Sequence, residues 1–384
     1  MFSPFRNFII FSARWLSSPG WTPRRLLVMV AFYTVFPLLE LTVWIGLLLD
    51  RIFFPGFRME AVSSPLFIIG NPRSGTTFLH RLISKDVGRF TTMRMWEILF
   101  APSIIQRKIL YALSAIFCRL GQLFRSGLDR IEKNWYRNAG LHQISFNQPE
   151  EDDYLLLHIW SALTCGLSAG LVNEALPYTY FDSQIPVSKR KRILSFYEAC
   201  IQRHLHAQRL RQNSQPGIYL AKNPALCPKV RSIKEKFADA KFIYLVRSPL
   251  EMLPSYVSMM MYSWRAVGIR YQEDDLRAFI TDMARHWYDY PLAQLETFQK
   301  NHVAVVRYED LIREPEKTVK GIYKQLQFQI EPDFERILHE ESARAGNYKS
   351  RHQYDISVTG LSHDRLFEEF RAVFDSFGFE KKGF

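Results

Sequence analysis

At 384 residues, with 47% apolar and 15% aromatic content, the chain has the composition of a folded protein with ample length for a core, which excludes a disordered one. Lys and Arg number 50 against 38 Asp and Glu, a net charge of +12 that favours anionic partners: a phosphorylated cofactor, an acidic lipid surface or nucleic acid. Zinc-finger spacing, RNA-binding aromatic motifs and a basic tail are all missing, which sets nucleic acid aside, and four scattered cysteines without a CxxC, together with no Asn-x-Ser/Thr sequon, lean toward a reducing cytoplasm.

Residues 1–60 read as a basic and hydrophobic helical region that associates with a membrane. Arg6, Arg14, Arg24 and Arg25 stand among large apolar side chains, and Leu26 to Leu49 then runs as 24 mostly apolar residues with one charge, Glu40, and one proline, Pro37. That length suits a bilayer crossing. A central glutamate costs roughly 2.5–3.5 kcal/mol on insertion scales, and Pro37 would kink a helix. Three arrangements stay open: a transmembrane or re-entrant anchor, a helix pair lying in the interface, and a helix packed against the protein or an oligomer partner. Arginines on both flanks leave the topology undecided. The expected setting is the cytoplasmic side of a bacterial inner membrane, with a Golgi-type anchor as the alternative.

From residue 61 to 384 the pattern becomes α/β. Leu66 to Ile69 predicts a buried strand, followed by the turn Gly70-Asn71-Pro72-Arg73-Ser74-Gly75 and a helix from Thr76 to about Ser84. Trp96-Glu97 comes next. Ile98 to Phe124 carries apolar residues near helical spacing, as a core-facing or lipid-cradling helix. Glu150, Glu151, Asp152 and Asp153 open a helical stretch over Tyr154 to Ala162, where acids suit the helix dipole. Ser188 to Gln212 predicts a basic amphipathic helix, with Lys189, Arg190, Lys191, Arg192, Arg203 and Arg209 on a solvated face or against anionic headgroups. Gly217 to Ala221 and Lys241 to Val246 predict two more strands, ending in Lys222-Asn223-Pro224 and Arg247-Ser248-Pro249. Helices around Leu250–Ser263 and Leu276–Gln299 follow. His302 to Val306 is a fourth strand, closed by Arg307-Tyr308-Glu309-Asp310-Leu311, before a helix near Pro315–Leu326 and a last one from about Asp364. Strand–helix alternation predicts one parallel sheet with helices on both faces, and polar residues at the carboxyl ends of strands, where open α/β sheets bind ligands.

The loop after the first strand is an anion site by construction. Glycines allow a close backbone approach, successive N–H groups point inward, and the helix N-terminus adds positive potential. Its G-x-x-x-x-G spacing is that of a Walker A loop, but Thr76 stands where that motif demands Lys. Arg247 likewise follows the Lys241–Val246 strand where a Mg²⁺-binding acid would be expected. The site therefore suits a phosphate that is held while a group attached to it leaves, with Arg73, Ser74, Gly75, Thr76 and Thr77 around it. No His/Cys/Asp cluster at metal-ligand spacing is present in the sequence, and side-chain cations suffice for this chemistry without a metal.

P-R-S-G-T-T after a hydrophobic strand resembles the 5′-phosphosulfate loop of sulfotransferases that use 3′-phosphoadenosine 5′-phosphosulfate (PAPS), and the likeness extends over roughly Ser63 to Glu380. It implies a three-layer P-loop-like fold and assigns roles residue by residue. The loop Pro72 to Thr77 would cradle the phosphosulfate. Arg247, and Ser255 eight residues on, would grip the 3′-phosphate. Lys222 before Asn223-Pro224 resembles the branches, the tyrosylprotein enzymes among them, in which a Lys steadies the transferring sulfuryl group. Several branches place a carboxylate base about as far past the loop as Glu97, with Glu150 or Glu151 in reserve. The Lys-Thr-His of the small-molecule branch is absent, so His80 reads as a packed or cofactor-side histidine and not a base. The usual R-K-G near the C-terminus is also absent, with Lys349 and Arg351 as substitutes toward the cofactor phosphates. The resemblance implies a PAPS-dependent enzyme, and the apolar N-terminus suggests a lipid, lipid-linked or glycan acceptor. The oligomeric state stays open. Other readings are a P-loop kinase or NTPase and a non-catalytic nucleotide-binding membrane scaffold.

Overall fold

The computed structural model describes residues 4–120, 146–345 and 355–381. Five strands form one parallel sheet: β1 (Leu66–Ile69), β2 (Phe90–Thr91), β3 (Ile218–Lys222), β4 (Lys241–Val246) and β5 (Val303–Arg307), in the spatial order β2-β3-β1-β4-β5. Four of these were predicted; the fifth, β2, is a two-residue edge strand. The central position of β1 follows from its composition. LFII is buried on both sides, as a strand with a neighbour at each edge and helices over each face must be.

Alternation along the strands divides the interior in two. Phe67, Ile69, Phe242, Tyr244 and Val246 point into the larger core, beneath helices that include Pro249–Ala266 and Glu273–Leu295. Leu66, Ile68, Ile243 and Leu245 point into the other, against Leu79 and Leu82 of the loop helix and Val319 and Ile322 of Pro315–Gln325. In register, Phe67 sits beside Phe242 and Ile69 beside Tyr244, so each face is continuous across the central strands. The result is the expected three-layer α/β fold.

The N-terminal region consists of α1 (Pro4–Ser17) and α2 (Pro23–Phe53). Rather than projecting from the sheet domain, α2 is attached to it along its length. Thr22 Oγ1 donates to the Gly268 carbonyl at 2.8 Å just before the helix begins. Near its middle, the Glu40 carboxylate meets His158 Nδ1 at 2.7 Å, and His158 Nε2 reaches the Ile98 carbonyl at 2.9 Å. At its end, Asp50 accepts from Ile104 N (2.9 Å), Ile105 N (3.1 Å) and Arg203 Nε (3.0 Å). Asp50 thereby caps a neighbouring helix (Ile104–Leu120) and neutralises a buried arginine. Gly46 allows that packing, since a Cβ there would lie 2.5 Å from Ser103 Oγ.

Asp50 is fully buried, and its removal would strand the Arg203 guanidinium away from water. Breaking such a pair typically costs 3–5 kcal/mol. Asp50→Ala is therefore expected to lower unfolding free energy by about 3 kcal/mol or more, measured by denaturant melts. Asp50→Asn, which keeps one acceptor oxygen, should lose less.

The basic helix predicted at Ser188–Gln212 spans Val187–Gln212. Two of its arginines depart from the solvated-face expectation. Arg190 is buried against Asp182, and Arg203 against Asp50, so part of the basic stripe serves the interior.

Candidate active site

The turn after β1 is shaped by two close approaches. A Cβ at Gly70 would lie 2.3 Å from the Leu245 carbonyl oxygen, so only glycine lets β1 leave the sheet this close to β4. Gly75 has φ +85° and caps the loop helix (Thr76–Ile83). A Cβ there would strike the Tyr308 ring at 2.5 Å. Between them Arg73 adopts a left-handed backbone (φ 67°), which directs its carbonyl to Arg247, whose NH1 donates at 2.9 Å. Arg73 Nε in turn donates to Ser255 Oγ at 2.9 Å. The two ends of the sequence motif thus form one connected cluster.

Arg247 is held from three sides. Its Nε and NH2 reach Glu251 Oε2 at 2.9 and 2.6 Å, its NH1 reaches the Arg73 carbonyl, and its guanidinium lies 4.4 Å from the Tyr308 ring centroid. Such a fixed, planar fork is suited to bidentate phosphate recognition. Within the loop, Ser74 is fully buried, and among the described residues neither its hydroxyl nor Asn71 Oδ1 has a hydrogen-bond partner. The Ser74 hydroxyl, a buried donor left unmatched beside a helix N-terminus, fits an anionic group placed there; the Asn71 oxygen is an acceptor and does not. Thr76 and Thr77 open that helix.

A second cluster lies next to the first, because β3 neighbours β1. Lys222 is in register with Ile68, and Asn223 N donates to the Ile68 carbonyl at 3.0 Å. Lys222 is buried, and its Nζ meets Glu151 Oε1 at 2.8 Å. Glu150 is also buried and faces Arg81 NH2 at 3.2 Å. Burial raises the Glu150 carboxyl above its ordinary range, with Lys222 pulling it back, Glu151 adding to the rise and Arg81 opposing it. His80, on the loop helix, is fully buried with Nε2 2.9 Å from Thr92 Oγ1. Desolvation, then Lys222 and Arg81, push its pKa well below 6.5, so it is a neutral packed histidine.

The acid run is therefore more than a helix cap. Each of its members meets a different partner: Glu150 with Arg81, Glu151 with Lys222, Asp153 with Lys229 at 2.6 Å, and Asp152 with the hydroxyls of Tyr219 (2.8 Å) and Tyr197. Burial drives the Asp152 carboxyl up to about 6, against the pull of the tyrosine hydrogen bonds. The unfolded chain releases that proton near 3.8. Across that interval the native state binds a proton the unfolded chain lacks, so the stability this group contributes is full below pH 3.8 and declines as pH rises to about 6. In Asp152→Asn that decline should vanish. Its unfolding free energy relative to the parent is expected to improve by a few kcal/mol with rising pH over the same window, measured by denaturant melts.

Glu97 stands apart from these clusters in its contacts. It is 2% exposed, its Oε2 accepts from Arg94 N at 2.8 Å to cap the short helix Met95–Leu99, and its Oε1 lies 3.5 Å from Arg107 NH1 and 3.4 Å from the Tyr111 hydroxyl. Both carboxylate oxygens serve local structure. Lys349 and Arg351 lie outside the described residues. Sequence reasoning had not singled out Arg81 or Tyr308. Arg81 was visible only as a cation beside His80, and Tyr308 only as part of the segment that closes the fourth strand.

A family model described as the sulfotransferase family matches residues 65–332. Over 330 residues the chain is 24% identical to the omega-hydroxy-beta-dihydromenaquinone-9 sulfotransferase Stf3 of Mycobacterium bovis, a match covering 83% of this chain and 76% of that protein, and it matches the Mycobacterium tuberculosis Stf3 to the same extent. Among solved structures, the sulfotransferase STF9 from Mycobacterium avium superposes with a TM-score of 0.76 at 17% identity, covering 100% of this chain and 93% of that one. The sulfotransferase STF1 from Mycobacterium tuberculosis gives 0.72 at 17% identity, covering 96% and 92%.

Proposed function

The chain belongs to the sulfotransferase family, and from that premise we propose that it transfers a sulfuryl group from PAPS to a hydroxyl, or an amine, of a lipid or lipid-linked acceptor at the membrane. The observation that carries this reading is the hydrogen-bonded link from Arg247 through Arg73 to Ser255, at 2.9 Å for each contact. The link supports the reading that the loop and the Arg247/Ser255 pair serve two phosphate-bearing ends of one nucleotide.

In this reading Ser74, Gly75, Thr76 and Thr77 hold the 5′-phosphosulfate through hydroxyls and backbone N–H groups, while Arg247 and Ser255 hold the 3′-phosphate. A carboxylate takes the acceptor proton, the acceptor oxygen bonds to sulfur, and the bond from sulfur to the 5′-phosphate oxygen breaks. Its electron pair leaves with adenosine 3′,5′-bisphosphate. Lys222 and Arg73 offset the negative charge that spreads over the sulfuryl oxygens and the leaving oxygen. We assign the base to Glu151, about a third of whose carboxyl side chain is exposed beside Lys222, with Glu150 behind it on Arg81.

The acceptor class follows from two supports. The curated relatives are named for an omega-hydroxylated beta-dihydromenaquinone. Residues 1–60 supply the apolar, membrane-associating part and 61–384 the catalytic part, on the cytoplasmic face. The test is to incubate the full-length chain and membranes with ³⁵S-labelled PAPS and then partition the products. Label in the lipid extract is expected. Label confined to protein or glycan would overturn the acceptor class, and a chain that binds the bisphosphate without transferring label would overturn the enzymatic reading.

A further inference from the structure

One face of α2 is apolar and uncovered. Leu27, Val35, Leu38, Leu41, Ile45 and Leu48 are all exposed, each three to eight residues from the next along a single helical stripe. Between Leu26 and Leu49 the only charged residue is Glu40, and it is turned inward onto His158. Exposed arginines mark the two ends, Arg24 and Arg51. The stripe broadens onto the adjoining helix Ile104–Leu120, where Ile109, Leu110 and Leu113 are exposed beside an exposed Lys108.

We propose that α2 lies flat in one leaflet of an anionic bilayer and does not cross it, so that the chain is a monotopic membrane protein. The inference refines, and rests on, the membrane association proposed above. A helix that crosses must put its two ends on opposite sides of about 30 Å of hydrocarbon. The ends of α2, about 45 Å apart by its rise, are instead bonded to the same polar body. Thr22 is tied to Gly268, Glu40 to His158, and Asp50 to Arg203 and the start of Ile104–Leu120. A crossing would carry those contacts into lipid or break all three. With the helix flat, Glu40 keeps its partner, the apolar stripe meets acyl chains, and Arg24 and Arg51 both reach anionic headgroups.

The orientation also links the membrane to the chemistry. His158, which holds the middle of α2, lies seven residues beyond Glu151. The next residue but one, Trp160, packs against Phe8 and Phe11 of α1 and Phe36 of α2, with ring centroids 5.0, 4.7 and 5.3 Å away. The segment that carries Glu150 and Glu151 is thus fastened to the membrane face. An acceptor seated in the same leaflet would present its polar end to those carboxylates without leaving the bilayer.

The test uses the full-length chain with a single cysteine introduced at either end, Arg24→Cys or Arg51→Cys, in sealed membrane vesicles of each orientation, treated with a membrane-impermeant maleimide. Cys165, Cys200 and Cys227 are buried, and the unsubstituted chain gives the background. Both positions are expected to label from the same side; labelling from opposite sides would overturn the proposal while leaving membrane association intact. As a second measurement, the purified chain is floated with phosphatidylcholine vesicles with and without phosphatidylglycerol. Flotation should require the anionic lipid, and Leu38→Glu with Ile45→Glu should weaken it by about tenfold or more while bisphosphate binding is retained. A chain that ignores both vesicles and forms a dimer disrupted by those substitutions would make the stripe a contact between copies and end the proposal. Failure to sulfate a lipid, with flotation and same-side labelling intact, would count against the acceptor reading alone.

Discussion

Arg247→Ala and Lys222→Ala are expected to fail in opposite ways. The first should weaken adenosine 3′,5′-bisphosphate binding by about 10²-fold, the typical size of one lost charge-assisted phosphate contact. Beyond its own charge, Arg247 holds the carbonyl of Arg73 at 2.9 Å, in a left-handed conformation that a non-glycine residue does not adopt freely. Its loss therefore loosens the loop as well as the grip. Lys222→Ala should leave bisphosphate affinity within a few-fold and lower kcat by about 10²–10³-fold, the range for removing a donor aimed at developing charge. Lys222 is among the largest fully buried side chains, so its truncation opens a cavity and should lower Tm, but Glu151, its partner, is about a third exposed and so accessible to water once unpaired. Folding should survive. Calorimetric titration with the bisphosphate and single-turnover transfer from labelled PAPS separate the two effects. Equal losses of affinity in both variants would contradict the division between binding and transfer.

Much of this arrangement was legible in the chain because it is written locally. LFII, IYLA and FIYLV are apolar without interruption, as strands covered on both faces must be, and they became β1, β3 and β4. The glycine spacing of the loop, and the separation of Arg247 from Ser255, likewise depend on short-range geometry. What the chain concealed was pairing at a distance. Glu40 reads as an energetic burden in a membrane helix, and its partner His158 lies 118 positions away. Arg203 reads as one more cation on a basic helix, yet its partner Asp50 is 153 positions away. Glu97 lies three residues after Arg94, outside the Ser/Thr-x-x-Glu pattern that betrays a capping role, so its bond to the Arg94 amide was not legible. The edge strand Phe90–Thr91 is too short for any periodicity to register.

Glu151→Gln should abolish most turnover, lowering kcat by about 10²–10⁴-fold with bisphosphate binding preserved, because it removes the proton acceptor and little else. A base must reach the acceptor hydroxyl. Of the three glutamates considered, Glu151 is the one whose carboxylate is substantially open while lying 2.8 Å from the ammonium that would face the sulfuryl group. Glu150 is closed off on Arg81, so Glu150→Gln should cost turnover less. Its effect should depend on pH. Burial raises the Glu150 carboxyl above 4.5, so as pH falls it takes up its proton early and releases Arg81. The wild-type profile should carry an acid limb from this group that Glu150→Gln lacks. Glu97→Gln makes the third arm. Both of its oxygens serve Arg94, Arg107 and Tyr111, so the substitution should lower Tm while kcat stays within a few-fold. Rates across pH and thermal melts on the three variants decide the matter. A collapse of kcat in Glu97→Gln, with Glu151→Gln still active, would return the base to Glu97 and leave Glu151 as no more than the counter-ion of Lys222.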